Sequence, residues 1–356
     1  PLLLEKYEKV LLQQEERIEE YDTEYTDSAG EPISLNLTIE PLTDAQSEKS
    51  IGAVGILEDI TSEKRQRTMI SRFLSKDIAE RFFEGDWESL MKGTKKDVTL
   101  LFCDIRNFTS IAEKMEPGDL VELLNEYFTY MVDEIFACGG TLDKYVGDAI
   151  VAIFGAPVTD PNNALHAVEA ALSMKRALRT FNSTRSKNGL FEIKFGIGIS
   201  TGKVLCGTIG SEKRLEYTSI GDDVNLASRL EGANKVYGTE LLISEFTYEL
   251  VKDQVRCREL DRVKLKGKEN PVTVYELVGK SNDVFGESFE RGIAQYAQGH
   301  SEIRKREFGL AAEHFLSALK LLPEDKACQL WIGRCEQFLK EPPGEDWDGS
   351  FEFTEK

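Results

Sequence analysis

Hydrophobic and polar positions change their spacing several times along the chain, and each change marks a new predicted element. Residues 1–20 place apolar side chains at helical spacing among charges, which predicts a helix with a partner-facing stripe. Residues 21–60 alternate apolar with polar in short runs, at 33–39 and 51–57, which predict strands. Residues 62–85 return to helical spacing with a seam close to that of a coiled coil. This seam predicts a parallel, dimeric signalling helix over residues 62–85. The alternative is a helix that packs on its own domain.

Two apolar runs in the middle of the chain each carry one aspartate at the rim. Asp104 lies in LLFCDIRNFT (100–109) and Asp148 in KYVGDAIVAIF (144–154). Both runs predict buried strands, and an unpaired carboxylate at a strand end costs several kcal/mol. Two aspartates without a set of His and Cys ligands suit Mg²⁺, which uses one or two carboxylates plus substrate phosphates. The alternative is that either aspartate merely caps a turn.

The composition restricts the classes of partner and compartment. The chain has 63 acidic and 44 basic residues, a net charge of −19, which disfavours nucleic acid as a partner. No apolar stretch approaches the roughly 18 to 20 residues that span a bilayer, and no signal peptide is visible. The six cysteines form no C-x-x-C pair, which favours reduced thiols and a cytoplasmic location.

The last part of the chain predicts helices. Residues 285–339 have helical spacing, and the segment around 311–323 resembles one tetratricopeptide-type helix pair, which cannot bury its own core. We therefore expect it to pack on the preceding domain or on a dimer partner, with Trp331, Phe338 and Trp347 as anchors. His300 is expected to be exposed.

Three segments of the middle region resemble, in order, the motifs of the class III nucleotide cyclase catalytic domain. They are FCDIRNFT (102–109), GDAIVAIFG (147–155) and EYTSIGDDVNLASRLE (216–231). The resemblance extends over residues 95–280 and implies an α+β fold, with a ferredoxin-like βαββαβ-type cyclase domain. The Gly-Gly-Asp/Glu-Glu-Phe signature of diguanylate cyclases is absent.

The regions around this domain complete the predicted organisation. Residues 1–61 comprise the N-terminal helix and a segment that resembles the last strands and exit motif of a PAS sensor. Residues 62–94 form the signalling helix or linker, and residues 281–356 form the tetratricopeptide-like helical tail. Because only about half of a PAS domain is present and the chain starts at Pro1, we expect part of the upstream sensor to be missing.

The resemblance assigns the reacting centre. Asp104, Asp148 and the backbone of Ile105 are implied to hold two Mg²⁺ or Mn²⁺ ions. Asn225 is implied to orient the ribose, and Arg229 to stabilise charge in the transition state. The two lie four residues apart on a helix predicted over 223–231, so they share one face, and a guanidinium suits phosphate oxygens. An ordinary solvated helix face is the alternative.

Lys144 and Thr218 occupy the family's base-reading positions, where guanylyl cyclases carry Glu and Cys. Lysine only donates and a hydroxyl can do either, which fits N1 and the amino group of adenine, so ATP is expected over GTP. A surface role for Lys144 is the alternative. Thr218 also resembles the bicarbonate-responsive subgroup of these cyclases.

Further residues are implied to bind the triphosphate. Lys266 matches a phosphate-binding lysine, although its segment equally suits a half-exposed strand. Arg214, with Lys213 one residue away, lies near a phosphate-binding arginine. The backbone at Asn107, Phe108 and Thr109 begins a helix and could bind phosphate there.

The predicted function is conversion of ATP to 3′,5′-cyclic AMP and pyrophosphate in a homodimer, regulated by the N-terminal sensor. The resemblance implies sites shared between subunits, with Asp104 and Asp148 from one chain and the base-reading and transition-state residues from the other. Because one chain carries every element, a hetero-partner is not required. A guanylyl cyclase and a catalytically silent nucleotide-binding module are the alternatives.

Overall fold

The computed structural model describes residues 2–12, 14–27, 29–43, 50–65, 92–211, 213–265 and 270–353 of the 356-residue chain. The chain divides into two compact units, Pro1–Ala79 and Glu80–Lys356. Within the described ranges, no helix has both the length and the apolar character needed to cross a membrane.

The first unit contains a helix and a three-stranded antiparallel sheet among its described residues. Helix α1 (Leu2–Leu11) precedes strands β1 (Ile18–Thr26), β2 (Pro32–Thr43) and β3 (Ser50–Asp59), which lie in the order β1-β2-β3. Residues 61–65 are helical. The strands predicted at 33–39 and 51–57 are thus confirmed. The PAS identity of this unit stays a prediction, and residues 66–85 of the predicted signalling helix lie outside the described residues.

The helix predicted over residues 1–20 is wrong in its second half. The helix ends at Leu11, and Ile18 begins a strand in which it pairs with Ile39 and is buried. β-Branched and aromatic residues in β1 fit a pleated, half-buried surface. Of the predicted apolar stripe, Tyr7 packs on the sheet beside Val10 and Ile18 is buried in it, whereas Leu4 and Leu11 are exposed.

The second unit consists of strands and helices in mixed order. The elements in chain order are β4 (Thr94–Ile105), α2 (Phe108–Ala112), α3 (Pro117–Ala137), β5 (Thr141–Val146), β6 (Ala149–Phe154), α4 (Asn163–Lys187), β7 (Phe195–Ser211), β8 (Arg214–Ile220), α5 (Asp222–Tyr237), β9 (Leu241–Ser244), α6 (Glu245–Val251), β10 (Val255–Leu265), β11 (Val272–Lys280), α7 (Glu287–Arg304), α8 (Phe308–Leu321), α9 (Lys326–Lys340) and β12 (Phe351–Phe353). The predicted α+β class is confirmed.

One sheet organises this unit. Its described strands lie in the order β12-β10-β11-β9-β7-β4-β6-β5, and β8 pairs with β7 as a hairpin. The C-terminal part of β4, residues 98–105, is largely buried on both faces, which explains the nearly continuous apolar sequence of that part. Leu101 and Cys103 point into the core shared with α3 and α4, whereas Val98 and Leu100 point into the core shared with α5. By this alternation Asp104 belongs to the α5 face.

The C-terminal helices pack on the preceding domain of the same chain, which was one of the two arrangements expected. Trp331 and Phe338 lie in one buried cluster with Leu226 and Leu230 of α5, and Trp347 packs at its edge. Strand β12 adds in parallel to β10. The exposure predicted for His300 is wrong, because the imidazole is buried between aromatic rings of the tail, including that of Trp331 at 4.7 Å between centroids.

Candidate active site

The two predicted metal-binding aspartates converge at one backbone amide. Asp104 lies at the end of β4, and Asp148 lies in the turn that joins β5 to the antiparallel neighbour of β4, strand β6. The amide of Ile105 donates to Oδ1 of Asp104 at 3.0 Å and to Oδ2 of Asp148 at 3.2 Å. Gly147 has φ +65 in the turn, a left-handed conformation that favours glycine. The carboxylates of Asp104 and Asp148, 44 positions apart in sequence, therefore lie side by side at the Ile105 amide.

The electrostatics of this pair favour a cation. Burial, together with the adjacent Asp104 carboxylate, raises the pKa of Asp148 to about 7. No lysine or arginine within the described ranges forms an ion pair with either aspartate. The described residues also contain no cluster of three or more His, Cys, Asp or Glu side chains suited to a metal. Two carboxylates therefore fit Mg²⁺ or Mn²⁺ whose remaining ligands come from water and phosphate.

Helix α5 carries Asn225 and Arg229, and it confirms the helix predicted over 223–231. Leu226 and Leu230 face the core, whereas Asn225 is exposed and Arg229 is half-buried. A Cβ atom on Gly198 of β7 would lie 2.2 Å from the carbonyl oxygen of Ala227, so glycine lets α5 pack directly on the strand backbone. Arg229 forms no hydrogen bond or ion pair with another described residue, which leaves its guanidinium available to a ligand.

The predicted base-reading residues lie together. The Nζ atom of Lys144 is 3.2 Å from Oε2 of Glu216 and 3.7 Å from Oδ1 of Asp143. The hydroxyl of Thr218 donates to Oδ2 of the same Asp143 at 2.9 Å. Strand β5 and the β7–β8 hairpin thus bring Lys144 and Thr218 to one carboxylate.

The predicted triphosphate ligands are only partly described. Asn107 adopts a left-handed conformation, with φ 59, immediately before α2, which begins with Phe108 and Thr109. The backbone of Arg214 pairs with Ser211 at the tip of the β7–β8 hairpin, but its side chain is not described. Lys266 lies outside the described residues. Phosphate binding by these five residues stays a prediction.

Comparison with known proteins identifies the family. Residues 90–279 match the family described as the adenylate and guanylate cyclase catalytic domain. The chain belongs to this family. Adenylate cyclase 1 of Rhizobium meliloti is 38% identical over 58% of the chain and 31% of its own length. The adenylate cyclase of Anabaena cylindrica is 43% identical over 64% of the chain and 47% of its own length. The chain therefore spans less than half the length of either relative.

Solved structures agree on the cyclase fold. The crystal structure of the adenylyl cyclase CyaB from P. aeruginosa is 35% identical, with a TM-score of 0.51, and covers 55% of this chain and all of its own. The guanylyl cyclase Cya2 is 39% identical, with a TM-score of 0.50, over 54% of this chain and 96% of its own. The neighbours thus include a cyclase named for each nucleotide.

Three charged residues of this cyclase domain were missed by reasoning from the sequence. Asp143 binds Thr218, as described above. Arg106 and Glu231 form a largely buried pair, with Nη1 and Oε1 4.0 Å apart and neither atom hydrogen-bonded to a described residue. Burial, reinforced by Asp104, raises the pKa of Glu231 to about 7. Each of the three lies within two residues of a predicted site residue, and that proximity was the available signal.

Proposed function

We propose that this chain is an adenylyl cyclase that converts ATP to 3′,5′-cyclic AMP and pyrophosphate. The proposal rests on the convergence of Asp104 and Asp148 at the Ile105 amide. In a member of the cyclase family, such a carboxylate pair is suited to bind the metal ions that nucleotide cyclisation requires. The described sheet and helix before residue 65 are proposed to act as a sensor segment upstream of this centre.

The reaction forms a bond between the ribose 3′-oxygen and the α-phosphorus. The bond from the α-phosphorus to the oxygen that bridges to the β-phosphate breaks, pyrophosphate leaves, and the 3′-hydroxyl loses its proton. Two Mg²⁺ or Mn²⁺ ions, held by Asp104, Asp148 and the Ile105 backbone, would lower the pKa of that hydroxyl and neutralise phosphate charge.

The chain's own residues have separate roles in this proposal. Arg229 donates to phosphate oxygens as negative charge grows on them. A guanidinium stabilises this charge well because it is always ionised and offers two donors in parallel. Asn225 fixes the ribose so that its 3′-oxygen lies in line with the bond that breaks. Lys266, Arg214 and the backbone amides of residues 107–109 bind the triphosphate.

The base-reading cluster favours ATP. The Lys144 ammonium donates to N1 of adenine, which is an acceptor, whereas N1 of guanine carries a hydrogen. With guanine, the Lys144 ammonium and the N1 hydrogen would face each other as two donors. In a desolvated site this lowers the binding free energy by more than the loss of one contact, because both donors have also lost their hydrogen bonds to water.

A homodimer with shared sites is part of the proposal. Large apolar side chains are exposed along the β7–β8 hairpin, where Leu205 pairs opposite Ile220 and where Leu215 lies near the tip. Tyr145 and Val146 of β5 are also exposed. Exposed apolar surfaces of this kind are typical of protein interfaces. Arg229, without a described partner in its own chain, is then available to a nucleotide whose metal ions the other subunit binds.

The test of activity is direct. The purified chain is incubated with ATP or GTP and with Mg²⁺ or Mn²⁺, and cyclic nucleotide and pyrophosphate are quantified. We expect cyclic AMP from ATP, loss of product in Asp104→Ala, and full activity in Asp133→Asn, which removes an exposed carboxylate of α3. Cyclic GMP as the main product would instead indicate a guanylyl cyclase. No product with either nucleotide, from an intact dimer, would indicate a silent module.

Shared sites are tested by mixing inactive chains. Asp104→Ala and Arg229→Ala each disable both sites of a homodimer, but a mixed dimer contains one site with both changes and one with neither. Mixing should therefore restore activity, at most to about a quarter of the unaltered level after random exchange. If the mixture stays inactive although exchange is demonstrated, each chain builds its own site.

A further inference from the structure

Asp143 is held in an unusual position on its strand. The pairing of β5 with β6 shifts register between Leu142 and Lys144, so Asp143 lies at a bulge. Bulges redirect a side chain and are frequent beside active sites. The Asp143 carboxyl is only 5% exposed, and its Oδ2 accepts the hydrogen bond from Thr218 at 2.9 Å.

This hydrogen bond determines what Thr218 can offer to a base. A hydroxyl has one hydrogen and two lone pairs, and by itself it can donate or accept. When the hydrogen points to Asp143, only the lone pairs remain for a ligand. Adenine has an amino group at C6, which can donate to those lone pairs, whereas guanine and hypoxanthine have a carbonyl there, which cannot.

Thr218 alone therefore does not discriminate between purines, because a free hydroxyl can turn its hydrogen toward a carbonyl. We propose that Asp143 is a positioning residue that makes this site specific for a 6-aminopurine nucleotide by holding the hydrogen of Thr218. The inference rests on the proposed cyclase function and assigns part of its base specificity to a residue that need not touch the substrate.

Two contacts favour an ionised acceptor against the cost of burial. Burial raises the pKa of the Asp143 carboxyl, and Glu216 acts in the same direction, whereas Lys144, with Nζ 3.7 Å from Oδ1, and the hydrogen bond from Thr218 favour its negative form. The Oδ1 atom has no hydrogen-bond partner among the described residues. Replacing Asp143 with its amide thus changes the hydrogen bond to Thr218 without breaking a second one.

The test compares ATP with inosine triphosphate, whose bases differ only at N1 and C6. The ratio of kcat/KM for the two nucleotides is measured in the unaltered chain and in Asp143→Asn. The amide NH₂ can donate to Thr218 and turn its hydrogen toward the base. The ratio should fall at least tenfold, chiefly through a higher rate with inosine triphosphate. Asp143→Asn also removes one ion-pair partner of Lys144, so an effect at N1 has to be measured separately, and Glu216→Gln, which removes the other partner, measures it.

A double-mutant cycle separates positioning from a general effect of the charge. In a Thr218→Val background, Asp143→Asn should leave the ratio unchanged, whereas Glu216→Gln in the unaltered background should leave it within about twofold. Thr218→Val alone should lower the ratio, because an acceptor that only adenine uses has been removed. This variant keeps the test open if Asp143→Asn fails to fold.

The outcomes distinguish the inference from the proposed function. If the unaltered chain makes cyclic AMP but Asp143→Asn keeps the ratio, or if Thr218→Val reduces both substrates equally, the role of Asp143 is refuted while the cyclase remains. If the unaltered chain makes no cyclic product, the proposed function fails first and the inference with it. A fall in the ratio that depends on Thr218 supports both.

Discussion

Asp148→Asn should make the metal-free protein more stable while it abolishes activity. Burial and the nearby Asp104 raise the pKa of Asp148 from 3.8 to about 7. A raised pKa means that the carboxyl favours folding when protonated, below about pH 4, and that this stability is lost as the pH rises through 7. At about 1.4 kcal/mol per pH unit the formal loss is about 4 kcal/mol. Because the carboxyl is half-exposed, solvent screening reduces our expectation to about 2 kcal/mol.

The assay is urea unfolding in EDTA between pH 4 and pH 8. The free energies of unfolding of the two proteins should be similar at pH 4, and Asp148→Asn should be about 2 kcal/mol more stable at pH 8. Asp133→Asn controls for the loss of one negative charge on the surface. Adding Mg²⁺ should stabilise the unaltered chain at pH 8 more than the variant. A difference that does not change with pH, or a less stable variant at pH 8, would refute the reasoning.

Three further predictions concern catalysis, the tail and the dimer. Arg229→Lys should lower kcat about 100-fold with little change in KM, because lysine lacks the guanidinium fork; initial rates with ATP measure this. Arg334→Met should lower the free energy of unfolding by about 3–5 kcal/mol in urea, because it leaves the fully buried Asp261 without its cation at 2.6 Å. Leu215→Asp should shift the proposed dimer toward monomer in sedimentation and lower activity at low protein concentration.

Each of these has a clear contrary outcome. A large rise in KM for Arg229→Lys would place that residue in ground-state binding. Arg334→Met should regain most of its stability when Asp261→Asn is added, and no recovery would mean that the ion pair is not the cause. An unchanged sedimentation profile for Leu215→Asp would exclude the hairpin as the interface.

The positions of the proposed site residues could be predicted because these residues follow local rules. An apolar run that ends in a carboxylate predicts a buried strand with a charge at its rim, and Asp104 and Asp148 both lie where that rule places them. The 3.6-residue period likewise predicts that Asn225 and Arg229 share a face of α5. These features depend on spacing along a single segment, which the sequence shows directly.

Features that depend on contacts across segments could not be predicted. Asp143 reads as an ordinary polar position of a short strand, and only the bulge and the β7–β8 hairpin bring it to Thr218. Ile18 fits a helical stripe in sequence, but the sheet that pairs it with Ile39 outweighs that local preference. His300 reads as a surface residue until the aromatic cluster of the tail surrounds it.

The boundary predicted at residue 280 illustrates how sequence motifs and folding units differ. Helix α5 carries Arg229 in its middle and ends at Tyr237, whose hydroxyl donates at 2.7 Å to Asp261 of β10. The same Asp261 accepts from Arg334 of the tail, and Trp331 donates to the carbonyl of Leu260 at 2.8 Å. The tail therefore fixes the strand that anchors the end of the helix on which the proposed transition-state residue lies. The tail supplies about half of the buried residues in the core beneath α5. The packed core of this unit therefore extends beyond residue 280, where the cyclase motif was predicted to end.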